Sequence, residues 1–486
     1  MSPWLHLLTL DLAVAGIACL VLLGDALLPG HGRQWGRLTA ALLVVVLAAS
    51  YLLNLSGQTP YGAYVSDAWV LFFKRVFLWS ALLGVLSAMD WLDQQAPLRQ
   101  AEYYALLLFS VVGMMLLPGA RDWALLIVCF ELMGVPLYVL SAWAKNDGPS
   151  DRPKLAAEAG LKLFVTGTAS SALTFFGLAL ILAFTQSTLI SAVPPSPLPP
   201  LAGVGVLLVL AGFGFKVGAV PFHMWVADTY QGAPTPFVAF LSVAPKAGGL
   251  AALSVVLLSG WARQSGFWEP ALVLLSVSSM LVGNLFALPQ TDLRRLLGFS
   301  GIAQIGYVLL ALCAHTEFGV AMALFFIATY VFTNLGAFLV LHAAAEESGG
   351  HSLVKVAGLW RRSPFLGAAM LVFLLSLAGI PFVAGFWAKL FVFLAAYRAG
   401  LVVPVVFGVA VAVVGLFYYL GVARATFMSE GASSASLHTG VPLRAAIALC
   451  LVAVVGLGLW PGPLLEGAAR AARAFGAGAS AATATR

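Results

Sequence analysis

Apolar runs of about 20 residues recur along the whole chain, separated only by short polar or Gly/Pro-rich punctuation. They span residues 5–28, 38–55, 68–89, 101–117, 123–142, 161–184, 201–226, 236–258, 271–288, 296–313, 318–342, 365–395, 402–425 and 445–459. As a helix, such a run crosses a hydrocarbon layer of roughly 30 Å. The pattern therefore predicts an all-α polytopic membrane protein of about fourteen transmembrane helices, with no room for a globular domain. Residues Met1 to His6 carry no basic segment, and the first run is too long for a signal-peptide core, so the first helix is expected to stay in the protein.

Composition agrees: 61% of residues are hydrophobic, 9% are charged and the mean hydropathy is +0.99, against roughly 25% charged residues in a soluble domain. The net charge of +6 reads as a topology signal and implies no nucleic-acid partner. With the N-terminus outside, the inner loops collect about twice as many Lys and Arg as the outer ones, among them Arg33, Arg37, Lys145, Arg294, Arg295, Lys355, Arg361 and Arg362. Both termini are accordingly expected on the outer side, although Arg121, Arg263 and Arg398 run against the bias. Cys19, Cys129, Cys313 and Cys450 lie singly in apolar runs, the seven histidines form no ligand pair, and no GxGxxG or P-loop occurs. No cofactor or metal is expected on this chain, so any redox chemistry that drives it belongs to a partner.

The informative residues are the charges left inside the runs. Lys74 and Arg75, near one end of the third run, and Lys162, at the start of the sixth, read equally well as snorkelling anchors. Asp11, Asp25 and Asp90 read as interfacial. Lys216, Lys246 and Lys389 lie deeper, where an ammonium costs several kcal/mol unless hydrated or paired. Glu131, at mid-depth in the fifth run, needs a cation or a proton, and a central lysine is its natural partner.

Each of these lysines neighbours a break. Gly218 and Pro221 follow Lys216, Pro245 precedes Lys246, and Gly379, Pro381 and Gly385 precede Lys389. Proline frees a carbonyl one turn back, and irregular backbone at membrane depth is tolerated only where protein or water satisfies it, so hydrated cavities are expected there. The Pro-Phe pairs of the seventh and twelfth runs lie five helices apart, which suggests two inverted five-helix repeats. This divides the chain into residues 1–100, a first repeat at 101–260, a second at 261–430, and a last helix with a short tail at 431–486. His223, after the first break, is a possible proton relay or a structural histidine.

The stretch GFKVGAVPFHMWVADTYQGAPTPFVAFLSVAPKAGGLAAL at 214–253 resembles the antiporter-like membrane subunits of NADH:quinone oxidoreductase, respiratory complex I, and in particular the subunit N branch. FELMGVPLYVL from Phe130, GNLFALPQTDLRRLLGFSGIAQIGYVLLAL from Gly283 and LSLAGIPFVAGFWAKLFVF from Leu375 are similar to the corresponding family segments in the same order. Lys389 stands where the subunit M branch carries glutamate, and the tail is too short for the lateral helix of subunit L. The resemblance implies a bacterial inner-membrane protein with other complex I membrane subunits and the lipid bilayer as partners. It also implies a proton relay of Glu131 and Lys216 as a coupling pair, Lys246 as central carrier and Lys389 as terminal site. Gln304 departs from the histidine of many relatives, which leaves water or Lys246 to span that gap. The expected function is proton translocation coupled to quinone reduction elsewhere in the complex. The alternative is a subunit of a stand-alone cation/proton antiporter, and a purely structural subunit would tolerate neutral residues at all four charged positions.

Overall fold

The computed structural model describes residues 4–28, 30–146, 152–192, 198–348, 350–429, 437 and 439–484. In chain order its helices are α1 (Thr9–Leu27), α2 (Gly32–Leu52), α3 (Ala68–Gln95), α4 (Gln100–Leu116), α5 (Trp123–Ser141), α6 (Arg152–Thr185), α7 (Pro200–Val217), α8 (Trp225–Gly232), α9 (Thr235–Leu241) and α10 (Ala244–Ser254). They continue with α11 (Ser265–Ala287), α12 (Leu293–Leu312), α13 (Glu317–Ser348), α14 (Leu353–Val356), α15 (Leu359–Arg362), α16 (Pro364–Ala378), α17 (Ala384–Arg398), α18 (Val402–Met428), α19 (Val441–Leu459) and α20 (Gly462–Ala484). A two-stranded hairpin, β1 (Gly57–Gln58) with β2 (Val65–Ser66), joins α2 to α3.

Among the described residues, thirteen helical segments are long and apolar enough to cross a membrane. The run at 365–395 is the exception: it folds as α16 and α17, each too short to span alone, with residues 379–383 between them. A multi-pass membrane protein results. Leu23, Leu52, Phe176, Leu274, Phe417 and Val452 stand exposed on the outer helices, a surface suited to lipid rather than water. The middle belongs to α9, α10, α12 and α13, whose side chains are almost all buried.

Where a long helix starts, an aspartate supplies the hydrogen bond that the first turn lacks. Asp67 accepts from the Val70 N–H, Asp122 from those of Ala124 and Leu125, and Asp292 from those of Arg294 and Arg295.

Three charged positions differ from their sequence reading. Lys74 is not a snorkelling anchor: it is fully buried, with Nζ 2.5 Å from Asp11 Oδ2, so α1 and α3 are clipped together by an ion pair inside the protein. Asp11, read as interfacial, is its partner because α1 packs on α2 and α4 and presents that carboxylate inward, toward Lys74 of α3. Lys162 does not open its helix, since α6 begins at Arg152. Its Nζ lies 2.7 Å from Asp228 and 2.6 Å from Glu158, and Asp228 also binds Arg295 at 2.6 Å. This cluster ties the short α8 to both α6 and α12.

The tail is structured as well. α20 buries Ala468, Ala471, Ala472 and Phe475, spaced for one helical face, and Phe475 stacks on Trp69 of α3 with centroids 4.3 Å apart. Its apolar stripe is built mainly of alanine, which carries little weight in a hydropathy pattern.

Removing one member of the α1–α3 clip leaves a buried charge without its counter-charge. Asp11→Ala is expected to destabilise the protein by about 3–5 kcal/mol, and Asp11→Leu combined with Lys74→Met to recover most of that loss. Thermal unfolding of the detergent-solubilised protein distinguishes the two variants. An unchanged melting temperature for Asp11→Ala would show that the pair contributes nothing.

Candidate functional site

The sequence Gly-Phe-Lys-Val-Gly at 214–218 ends α7 by a specific device. Gly218 adopts a left-handed conformation (φ +73°), so its own N–H reaches Phe215 O and the Ala219 N–H reaches Gly214 O at 2.8 Å. Such a glycine stop satisfies helix-end carbonyls without water. Lys216 is thereby held in the last turn of a helix that stops inside the protein. The segment beyond it is secured by Val220 N–H to Ser279 Oγ (2.9 Å) and Trp225 Nε1 to Phe215 O (3.1 Å).

The same device recurs five spans later. Gly379 (φ +83°) ends α16, and the N–H groups of Gly379 and Ile380 both reach Leu375 O at 3.0 Å. Ser376 Oγ accepts from the Gly385 N–H at 3.0 Å, which joins the end of α16 to the start of α17. Lys389 of α17 reaches back across this break: its Nζ donates to Leu377 O at 2.7 Å and Ala378 O at 3.2 Å. A cation at the carbonyl end of a helix is in a favourable field.

The third break lies between α9 and α10 and puts Lys246 in the first turn of α10, after Pro245. Gly249 lets α10 approach α7, since a Cβ there would stand 3.2 Å from Lys216 Cβ. Gly301 of α12 makes a notch on the other side, where a Cβ would stand 2.9 Å from Lys246 Nζ and 2.8 Å from the Tyr330 hydroxyl. Lys246 is 1% exposed, its Nζ makes no hydrogen bond, and the Tyr230 ring lies 5.8 Å away.

Lys216 meets different surroundings. Its head lies over Gly134, between the rings of Phe130 (5.5 Å) and Tyr138 (5.9 Å), and makes no hydrogen bond. Glu131, one turn before Gly134 on α5, accepts instead from Ser171 Oγ of α6 at 2.7 Å. The expected coupling pair thus faces one another across α5 without a hydrogen bond between them. His223 sits half-buried in the break after α7, where its carbonyl accepts from the Val226 N–H, and no hydrogen bond joins it to a lysine.

Between Lys246 and Lys389 stands Gln304, which the sequence singled out, together with residues that it did not. Gln304 donates to Leu377 O (3.0 Å) and to the Tyr419 hydroxyl (3.1 Å), and Tyr419 meets Ser300 Oγ at 2.5 Å. Asn284 connects Tyr307 and Tyr418, and the Tyr307 ring lies 5.1 Å from Lys389 Nζ. Two cavities of about 10 Å³, each with room for roughly one water, flank Gln304. One holds Lys246 and the other Lys389; Gln304, Phe326 and Tyr330 line both. A larger polar cavity, about 370 Å³, opens at the turn between α8 and α9 among Gln231, Thr235, Arg294, His342 and His351. Tyrosines and glycines are ordinary in apolar helices, so only their tertiary placement marks them out.

Among the described residues, no three His, Cys, Asp or Glu side chains cluster as metal ligands. The arrangement has the groups needed to hold and pass protons: three buried amines and a half-buried carboxylate, spaced by hydroxyls, an amide and water-sized gaps.

Residues 120–415 match the family described as NADH:quinone oxidoreductase/Mrp antiporter, TM. The NADH-quinone oxidoreductase subunit N of Moorella thermoacetica is 37% identical over 97% of this chain and 99% of its own length. A chain of respiratory complex I from Thermus thermophilus superposes with a TM-score of 0.81 at 33% identity, covering 95% of this chain and 99% of that one. A chain of the Mrp complex from Dietzia sp. shares the fold, with a TM-score of 0.86 at 21% identity over 100% of this chain and 99% of that one. With its breaks, its span count and its full-length similarity in agreement, the chain belongs to the family of antiporter-like membrane subunits of NADH:quinone oxidoreductase, within which it resembles subunit N.

Proposed function

We propose that this chain is a proton-translocating subunit of NADH:quinone oxidoreductase, which moves protons through Glu131, Lys216, Lys246 and Lys389 while redox chemistry takes place on other subunits. The observation that carries the reading is that three lysines, each buried and each beside a helix break, occur in a chain similar to subunit N along its whole length. Buried amines in a membrane protein are costly and mark proton or substrate pathways by default.

Glu131 and Lys216 form the switch. In the arrangement described here the carboxylate is engaged by Ser171 and the ammonium rests over Gly134, so the pair is apart. When a neighbouring subunit draws Glu131 toward Lys216, the carboxylate stabilises a proton on the amine. When the pair parts, that stabilisation is lost and the proton moves on to Lys246, which lies across the close α7–α10 contact made by Gly249. Lys389 receives it last and releases it toward the outer side. The large polar cavity at the α8–α9 turn supplies a route for protons toward the start of α9, the segment leading to Lys246. The partners are the other membrane subunits of the complex, and both termini lie on the outer face of a bacterial inner membrane. The lysines serve equally in a stand-alone antiporter; the full-length subunit N similarity favours the complex.

Side-by-side proton pumping and NADH:quinone turnover in inverted membrane vesicles test this, with assembly of the complex verified. Lys216→Ala is expected to lower both by roughly 10-fold or more, and unchanged pumping and turnover would overturn the reading. Lys389→Met is expected to abolish pumping by this subunit while the complex stays assembled. Gly301→Ala, which pushes a methyl against Lys246 Nζ and the Tyr330 hydroxyl, is expected to slow turnover with no loss of assembly. A Gly301→Ala complex that turns over at the parent rate would show that the position of the Lys246 head does not matter.

A further inference from the structure

The geometry points to Gln304 as a gate that holds Lys246 and Lys389 apart in the resting protein, with the broken end of α16 as its latch. This inference rests on the proton-relay reading above and adds to it a positioning residue that never carries a proton.

The two small cavities are parted by three shared side chains. Val243, Lys246 and Leu250 line the first; Thr333, Ser376 and Lys389 line the second; Gln304, Phe326 and Tyr330 belong to both, and of these Gln304 is the one that hydrogen-bonds Leu377 O, the oxygen that Lys389 also uses. A water in each would stand between a lysine and the Gln304 amide. For a proton to pass, it must leave Lys246 Nζ for the first water, cross to the second and arrive on Lys389 Nζ. The carboxamide interrupts that sequence. It offers two N–H donors and one carbonyl acceptor, and it neither takes up nor releases a proton under physiological conditions. A histidine at this position would do both, since its nitrogens titrate near neutral pH.

The amide is also locked in orientation. Both of its donors are spent, one on Leu377 O at 3.0 Å, which lines the Lys389 cavity, and one on the Tyr419 hydroxyl at 3.1 Å. Tyr419 is itself held by Ser300 on the same helix as Gln304. Leu377 O is shared, because Lys389 Nζ donates to the same oxygen at 2.7 Å. The carbonyl is exposed to both donors only because α16 stops at Gly379; in a continuous helix it would be taken by an N–H one turn on. The lysine and the gate are therefore latched to one atom. When Lys389 gives up its proton or swings away, Leu377 O loses its charged donor, and the second cavity reorganises around the amide. Opening for the next proton is in this way tied to departure of the last one. Between events the closed amide prevents protons from running back along the lysines.

The test is a leak. In vesicles carrying the assembled complex and no substrate, the decay of an imposed pH gradient reports resting proton permeability. Gln304→Ala joins the two cavities and is expected to raise that permeability several-fold, with pumping losing its tight coupling to turnover. Adding Lys389→Met to Gln304→Ala is expected to return the leak to the parent level, because the leak runs through the lysines; a leak from general damage would persist. Gln304→Asn, one methylene shorter, keeps the amide but cannot reach both Leu377 O and Tyr419, and is expected to leak to a lesser extent. It serves as the second variant should Gln304→Ala fail to assemble. Parent-level permeability in assembled Gln304→Ala or Gln304→Asn overturns the gate, as does a leak that Lys389→Met leaves in place. Failure of the underlying relay is read separately, as normal pumping in the single variant Lys389→Met.

Discussion

A helix that stops inside a hydrocarbon layer leaves carbonyls that nothing in the lipid can satisfy. Most of this molecule avoids that cost by spanning without interruption. At three places it does not, and each interruption is met within the protein: by glycine stops at Gly218 and Gly379, by side-chain hydroxyls at Ser279 and Ser376, by the Ser242 hydroxyl on Ala239 O at the end of α9, and by the ammonium of Lys389 on Leu377 and Ala378. The breaks need a thick layer of surrounding helices, and that layer gives the lysines an interior in which to be buried. Remove the surrounding spans and neither the broken backbone nor the charges could be accommodated.

This dependence explains the division between inner and outer helices. The outer spans turn large side chains such as Leu23 and Phe417 outward. The inner ones, α9, α10, α12 and α13, carry Lys246, Gly301, Gln304 and Tyr330 within a few contacts of one another. Glycines are the instruments of close approach here. Gly134, Gly249 and Gly301 each mark a spot where a methyl group would collide with a lysine on a neighbouring helix. The peripheral ion clusters serve a different end. Lys74 with Asp11 joins α3 to α1, and Asp228 with Lys162 and Arg295 holds the short α8 to α6 and α12.

Much of this was legible from the pattern of apolar runs, since a run of about 20 apolar residues has few alternatives to a membrane span. Eleven of the runs fold without an interior break, and the other three are those that hold Lys216, Lys246 and Lys389, where α7 ends at Val217, α9 gives way to α10 and α16 gives way to α17. The depth of Lys216, Lys246 and Lys389 followed from their positions within runs, and the breaks beside them from Gly and Pro. The readings of Lys74 and Lys162 failed for different reasons. For Lys162 the start of the run is not the start of the helix, since α6 begins well before residue 161; α3 does begin with its run at Ala68, but nearness to a run's end does not say that a side chain faces protein, where Lys74 meets Asp11 of α1. α20 was hidden because an alanine stripe buries a helix by close packing, with little hydropathy to announce it.

The sequence by itself determined that this protein lies in a membrane, about how many times it crosses, where its helices break and that Lys216, Lys246 and Lys389 lie deep. These are local properties, set by the solvent each segment tolerates and by the conformations that glycine and proline allow. Only the tertiary structure decided that Lys74 finds Asp11, that Glu131 turns to Ser171, that Gly134 and Gly301 make room for lysine heads, and that Gln304 stands between two water-sized gaps. Such contacts join residues 40 to 115 positions apart. No local preference specifies them, and the packing of one helix on another selects them from the many pairings that a chain of apolar helices would allow.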